Sequence, residues 1–346
     1  MNHWTRTALK TLSSDQLRTS DTHLYRLDIP GLQGIDIYLK DESTHPTGSL
    51  KHRLARSLFL HAICSGKVNE GTPIVEASSG STAVSEAYFA KLLGLPFTAV
   101  MPRHTTCKKV EQVVRLGGHC HFVDHAAEVY SEAERLAQES GGHYMDQFTF
   151  AERATDWRGN NNIAESIFRQ LAEEPHPIPN AIVMSAGTGG TSATLGRYVR
   201  YLGLDTQLVV VDPENSVFYD SYQSGDASLV SQAGGRIEGI GRPRVEASFL
   251  PEVIDEMIKV PDAASIATIH WLEHILGRKA GGSTGTNLWG VLQLAKRMQQ
   301  NGERGSLVTL MCDGGERYLD TYYNPEWVAR HIGDLAPYRE QLAAFG

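Results

Sequence analysis

The feature that most constrains this chain is a unit that recurs along it. A short apolar run gives way to a turn of glycine and hydroxyl residues, and a stretch with helical spacing follows. Pro73-Ile74-Val75-Glu76-Ala77 runs into Ser78-Ser79-Gly80-Ser81-Thr82, and an alanine-rich helix through Ala83, Ala87, Phe89, Ala90 and Leu92 comes next. Ala181-Ile182-Val183-Met184-Ser185-Ala186 runs into Gly187-Thr188-Gly189-Gly190-Thr191 and a helix from Thr194 to Leu202. Further strands are predicted at Ile35 to Lys40, Phe97 to Met101, His119 to Val123, Gln207 to Pro213 and Ser306 to Met311, with a helix around Lys109 to Leu116. Strands alternating with helices specify βαβ units and mostly parallel sheets, so the chain is α/β. Residues 1–23 read as one short helix, 214–250 as a long loop, and 254–277 as mostly helical. Gly281-Gly282-Ser283-Thr284-Gly285-Thr286-Asn287 reads as a third loop, leading into a helix.

At 346 residues the chain has room for two such regions. A net charge of −8 supplies no dominant basic face, which argues against a general nucleic-acid binder. No apolar run approaches the length of a membrane span, and the N-terminus lacks a secretory pattern. Four cysteines without CxxC spacing do not make a disulfide framework, so a cytoplasmic setting is expected.

Three stretches carry residue types suited to chemistry. Thr47-Gly48-Ser49-Leu50-Lys51-His52-Arg53 feeds a lysine into the first turn of a helix whose apolar residues are Leu54, Leu58, Phe59, Ala62 and Ile63, with Gly66 placed to end it. The positive end of the helix dipole there opposes a charged amine, and a neutral amine is a nucleophile toward an aldehyde. Gly187 to Thr191 has the grammar of a phosphate cradle: glycines that admit backbone N–H groups, a helix N-terminus, and the hydroxyls of Thr188 and Thr191. A dinucleotide fingerprint is the alternative, with Gly187 and Gly189 as its first glycines and Asp212 ending the next strand, although Ser192 occupies the third glycine position. Ser78 to Thr82 repeats the arrangement and suits a carboxylate, to which the Gln147 amide could add a donor. His119, Cys120, His121 and His125 raise a zinc reading, but no complete ligand set is evident, and no metal is expected.

Taken together, from about residue 35 to 320, these motifs resemble the cysteine synthase and cystathionine β-synthase family of pyridoxal 5′-phosphate enzymes of fold type II. Ser49-Leu50-Lys51-His52-Arg53 resembles the family's Ser-x-Lys-Asp-Arg turn, which implies Lys51 as the Schiff-base lysine. Ser78, Ser79, Gly80, Ser81 and Thr82 resemble its substrate-carboxylate loop, with Gln147 as a further contact and Ser81 facing the cofactor. Gly187, Thr188, Gly189, Gly190 and Thr191 match its phosphate cup, and Gly282-Ser283-x-Gly285 resembles the segment whose serine meets the pyridine nitrogen. Glu238-Gly239-Ile240-Gly241 and Gly315-Glu316-Arg317-Tyr318 also fall where the family has similar segments. The resemblance implies two α/β domains like the tryptophan synthase β-subunit, each a mostly parallel twisted sheet flanked by helices. Residues 46–155 would form the smaller, and 1–45 with 156–346 the larger. A homodimer is implied too.

The sequence departs from the family at three places. Ser81 stands where an asparagine is usual, His52 where an aspartate is usual, and Trp157-Arg158-Gly159-Asn160-Asn161-Asn162 where a Thr-Gly-Pro-Glu stretch is usual. The overall set is most similar to the L-cysteine desulfhydrase branch. That implies β-elimination on L-cysteine through a bound aminoacrylate, giving hydrogen sulfide, pyruvate and ammonia. The alternative is β-replacement of the cysteine synthase type, in which a thiol or amine adds to the same intermediate.

Overall fold

The structure, a computed structural model, describes residues 2–19, 21–159 and 162–346. In chain order the strands are β1 (Leu24–Leu27), β2 (Ile35–Asp41), β3 (Ile74–Ala77), β4 (Phe97–Pro102), β5 (His119–Val123), β6 (His143–Tyr144), β7 (Ala181–Ser185), β8 (Gln207–Pro213), β9 (Glu256–Val260) and β10 (Gly305–Met311). The helices are α1 (His3–Arg18), α2 (Lys51–Cys64), α3 (Ser81–Leu93), α4 (Cys107–Arg115), α5 (Val129–Ser140), α6 (Gln147–Ala154), α7 (Ile163–Leu171), α8 (Gly190–Leu202), α9 (Phe218–Ser224), α10 (Asp262–Leu276), α11 (Gly282–Gln300), α12 (Pro325–His331) and α13 (Ala336–Ala343). They form two compact units: Met1–Asp21 with His45–Thr155, and Thr22–Thr44 with Asp156–Gly346.

The smaller unit is built on a parallel sheet of order β5-β4-β3-β6. Its strands are short, and the two inner ones, β3 and β4, are mainly apolar, as strands covered on both faces must be. Ile74, Phe59, Phe89 and Met101 are buried at its centre. Residues 1–45 are expected with the larger region, but α1 belongs here. Its Ala8 and Leu12 join the apolar cluster of Ala55, Leu58, Phe59, Ala83 and Phe89. Asp15 accepts from the Tyr88 hydroxyl (2.9 Å), and Asp21 pairs with Arg53 (2.8 Å).

The larger unit has a sheet of order β1-β2-β10-β7-β8-β9, parallel except that β1 runs antiparallel to β2 at the edge. Its inner strands are sealed by Val183, Val209, Val211 and Leu307, with Leu288, Val291 and Leu292 of α11 against them. Three expectations are refined or corrected here. The stretch 254–277 is mostly helical, as expected, but it opens with the edge strand β9, Glu256–Val260, paired with β8, and the helix begins only at Asp262. Five residues of mixed character fit either state, and the free edge of β8 decides it. The loop expected at 214–250 contains α9. The third hydroxyl-and-glycine loop is already helix from Gly282 onward. Gly285 is there because α10 passes so close that a Cβ would stand 1.9 Å from the Ser265 carbonyl oxygen.

Candidate active site

In the smaller unit, Lys51 opens α2. Gly48 makes the preceding turn with φ 74°, its N–H donating to the His45 carbonyl (2.7 Å). Leu50, not a hydroxyl residue, holds the cap position, and the hydroxyl of Ser49 before it accepts from the Lys51 N–H (3.3 Å). The first turn is tight: His52 N–H donates to the Ser49 carbonyl and Arg53 N–H to that of Leu50, both at 3.1 Å. Lys51 is half-buried, while its neighbours His52 and Arg53 are buried. His52 therefore works inward. Its Nδ1 lies 3.2 Å from the Thr47 hydroxyl, and its ring stacks on His45 and packs on Phe89. Arg53 is fastened to Asp21. Both neighbours fix the helix start from which Lys51 projects.

The loop after β3 presents Ser78, Ser79, Gly80 and Ser81, all half-buried. Ser78 Oγ accepts from the Gly80 N–H (3.2 Å), and α3 starts at Ser81 with no side-chain cap. An uncapped helix start leaves N–H groups for an anionic group. Thr82 and Gln147 are buried and meet: the Thr82 hydroxyl donates to Gln147 Oε1 at 2.7 Å. That bond turns the Gln147 amide so that its N–H₂ remains the donor. Asp146, in the left-handed region at φ 48°, caps α6 by accepting from Thr149 N–H and so sets Gln147 at the helix start.

In the larger unit, Gly187 to Thr191 follows β7 and runs into the first turn of α8. A Cβ on Gly187 would stand 2.2 Å from the Gly239 carbonyl oxygen. One on Gly189, which has φ 92°, would stand 2.4 Å from the Ser248 carbonyl oxygen. Backbone fills the space on that side, so only glycine lets the loop bend closely enough to turn its N–H groups together. Thr188 Oγ1 accepts from Gly190 N–H (3.3 Å), and no side chain caps α8. This cradle fits a phosphate. The dinucleotide alternative fits poorly. Ser192 is fully buried and donates to the Gly189 carbonyl (2.9 Å). Asp212 is buried and accepts from Tyr219 N–H (2.8 Å), and burial pushes its carboxyl up to about 6.

Ser283 lies buried in the first turn of α11. Beside that helix start, Asp313 is buried, accepts from the Tyr318 hydroxyl (2.7 Å), and is pushed up to about 6 by burial. Gly281 N–H donates to the Asp313 carbonyl (3.1 Å), which joins the segment after β10 to the start of α11. Gly315 to Tyr318, singled out in the sequence, is the 3-10 turn that delivers Tyr318 to this aspartate.

Other sequence candidates take plainer roles. His121 Nε2 sits 2.7 Å from the Glu132 carboxylate, and among the described residues no group of three or more His, Cys, Asp or Glu could hold a metal. Of the Trp157–Asn162 segment, Asn160 and Asn161 lie outside the described residues. Trp157 packs on Tyr201, and Asn162 caps α7 by accepting from Ala164 and Glu165 N–H. No described helix is long and apolar enough to cross a membrane.

A lysine-led helix start, a hydroxyl-rich helix start and a glycine phosphate cradle, carried on mostly parallel sheets, define a class of enzyme built to hold a phosphorylated aldehyde cofactor. The chain belongs to the pyridoxal-phosphate dependent enzyme family, whose model matches residues 16–313. Among its relatives, L-cysteine desulfhydrase Cds1 of Mycobacterium tuberculosis (strain ATCC 25177 / H37Ra) is 59% identical over 346 residues, covering 99% of this chain and 94% of that one. A putative cysteine synthase of Sinorhizobium fredii (strain NBRC 101917 / NGR234) is 29% identical over 325 residues, covering 89% of this chain and 90% of the relative. Among solved structures, an O-ureido-L-serine synthase superposes with a TM-score of 0.77 at 26% identity, covering 87% of this chain and 91% of that one.

Proposed function

We propose that this chain cleaves L-cysteine by β-elimination: L-cysteine and water give pyruvate, ammonia and hydrogen sulfide. The observation that carries this reading is the 59% identity, along nearly the whole of both chains, to a protein named L-cysteine desulfhydrase. Bound pyridoxal phosphate supplies an aldehyde that condenses with amines and a ring that accepts the electron pair of a broken Cα–H bond.

The residues of this chain do the rest. N–H groups of Gly187 to Thr191 and the hydroxyls of Thr188 and Thr191 bind the phosphate. Ser283 would hold the ring nitrogen as a neutral hydrogen-bonding partner, and Ser81 would contribute a further hydroxyl to holding the cofactor. Lys51 would hold the cofactor through its amine and, once freed, would take the α-proton as the nearby base. Ser78, Ser79, Gly80 and Thr82, with the N–H₂ of Gln147, hold the α-carboxylate and so orient the Cα–H bond toward that base. The chain works as a cytoplasmic homodimer, a state that light scattering of the purified protein measures directly.

Pyruvate and sulfide released from L-cysteine alone test the elimination. Equal, sustained release of both supports it. Little pyruvate, with a new amino acid formed once a second thiol is added, supports β-replacement instead. The cysteine synthase relatives favour that second reading.

A further inference from the structure

We propose that Glu86 is a positioning residue for the reaction: it carries a proton that binds it to Glu76, and through Glu76 it holds the substrate loop and Gln147 in register. The inference deepens the proposed function, because it concerns the residues assigned there to the substrate carboxylate.

Glu76 is the penultimate residue of β3, and both its oxygens are spent on backbone donors. One accepts from Ala77 N–H (2.7 Å), at the root of the Ser78–Thr82 loop. The other accepts from Gln147 N–H (3.1 Å), at the start of α6. Gln147 accepts in turn from Thr82. Glu86 lies one helical turn beyond Thr82 on α3, and residues four apart share a helix face. A ring therefore closes through Thr82, Gln147, Glu76, Glu86 and one turn of α3.

Both carboxyl groups are fully buried. Neither Glu86 oxygen receives a hydrogen bond from any donor among the described residues. What Glu86 faces is the Glu76 carboxyl. Two buried acceptors in contact repel unless a proton lies between them. Glu76 has two N–H donors to stabilise its charge and Glu86 has none, so the proton belongs to Glu86, whose O–H donates to Glu76. Burial and the facing carboxylate push Glu86 well above the ordinary carboxyl range, and burial pushes Glu76 up to about 7.

The titratable groups around the pair do not relieve it. Asp146, at the start of α6, acts on Glu76 with the same sign of charge. Tyr144 of β6 is buried against both glutamates, and Tyr130 of α5 acts on that same ring. From α2, His52 meets α3 through Thr47 and Ser85 and by packing on Tyr88 and Phe89. On α1, Asp15 is taken by Tyr88. Strand β4 carries no titratable side chain, and the charged side chains of α4 lie at the surface or only half-buried.

The test uses the holoenzyme and two variants. Glu86→Gln keeps the size and an N–H₂ donor for Glu76 but has no proton to lose. Its KM for L-cysteine should stay within about threefold of the parent at neutral pH. As pH rises, the parent's KM should climb while that of the variant stays flat. Glu86→Leu removes the donor and should raise KM roughly five- to 150-fold, the range for an unsatisfied buried group, with a smaller effect on kcat. A wild-type KM in E86L, or the same alkaline climb in E86Q and the parent, overturns the proposal.

Infrared spectroscopy gives a readout independent of turnover and of whether E86L folds. The parent should show the C=O band of a protonated carboxyl at neutral pH, lost in E86Q, with or without cofactor. Absence of that band in the parent overturns the proposal. Its presence in a protein that releases no sulfide from L-cysteine would refute the assigned substrate and leave the carboxyl pair standing.

Discussion

Gly189→Ala isolates what the phosphate cradle requires of its backbone. At φ 92° an alanine enters the left-handed region, at a cost on the order of 1–2 kcal/mol. Its Cβ would also stand 2.4 Å from the Ser248 carbonyl oxygen and 2.5 Å from Phe249 Cα. Those are backbone atoms, so the strand of chain behind the loop must move. Overpacking of that kind costs about 1–3 kcal/mol more. The sum, about 2–5 kcal/mol, corresponds to a fall in Tm of roughly 4–20 °C for a unit of this size. Gly203→Ala is the control. It caps the far end of the same helix at φ 64° with nothing within 4 Å of its Cβ, so it carries only the backbone cost. Thermal unfolding without cofactor gives the stability difference between the two variants. Repeating it with saturating pyridoxal phosphate shows whether the cofactor's stabilising increment survives, since ligand binding to the native state raises stability by mass action. The increment should persist in G203A and shrink sharply in G189A. Equal Tm losses in the two variants, or an undiminished increment in G189A, would refute the view that this loop is a tightly bent phosphate cradle.

Three further outcomes are expected. Lys51→Ala should lower sulfide release from L-cysteine by at least about 100-fold, since it removes both the amine that holds the cofactor and the nearby base; activity within tenfold of the parent would sink that assignment. Thr82→Val leaves the buried Gln147 amide oxygen without its donor, a loss of about 1–3 kcal/mol that should appear mainly as a higher KM and be restored by Thr82→Ser. Asp313, held up to about 6 by burial against an ordinary 3.8, binds its proton more tightly folded than unfolded. Its contribution is therefore fully present at low pH and lost as pH rises from about 4 to about 6. Asp313→Asn should remove up to roughly 3 kcal/mol of that decline in stability, measured by denaturant unfolding across the range; an unchanged slope would refute the shift.

The fold was legible wherever local sequence and tertiary setting ask for the same thing. β3 and β7 are short apolar runs, each followed at once by small or hydroxyl residues and then by a helix, and no other element type accommodates that order. Where the setting decides, the sequence is silent. Glu256–Val260 mixes two charged with three apolar residues, a pattern too short to fix its state, and it is a strand because β8 offers an edge there. Residues 282–287 carry three hydroxyls and two glycines, yet they are helix, because close packing against α10 demands small residues in regular backbone. The N-terminal helix joined the smaller unit through Ala8 and Leu12, two residues whose partners lie far along the chain.

The same division runs through the candidate site. Lys51, the Ser78–Thr82 loop and the Gly187–Thr191 cup each follow a pattern tied to backbone geometry, since an anion needs N–H groups at a helix start and those starts have recognisable residues. Parallel sheets place such starts at the carboxyl ends of their strands, and β3 and β7 each deliver one. Glu86 has no such pattern. In the sequence it is one more polar residue in an alanine-rich helix, and its spacing from Thr82 gains meaning only once Glu76 and Gln147 stand opposite it. A carboxyl buried beside another carboxyl is costly, and burying a leucine there would be the simpler way to fill the space. A group that destabilises the unit while touching the support of the substrate residues is better explained by what it holds than by what it packs.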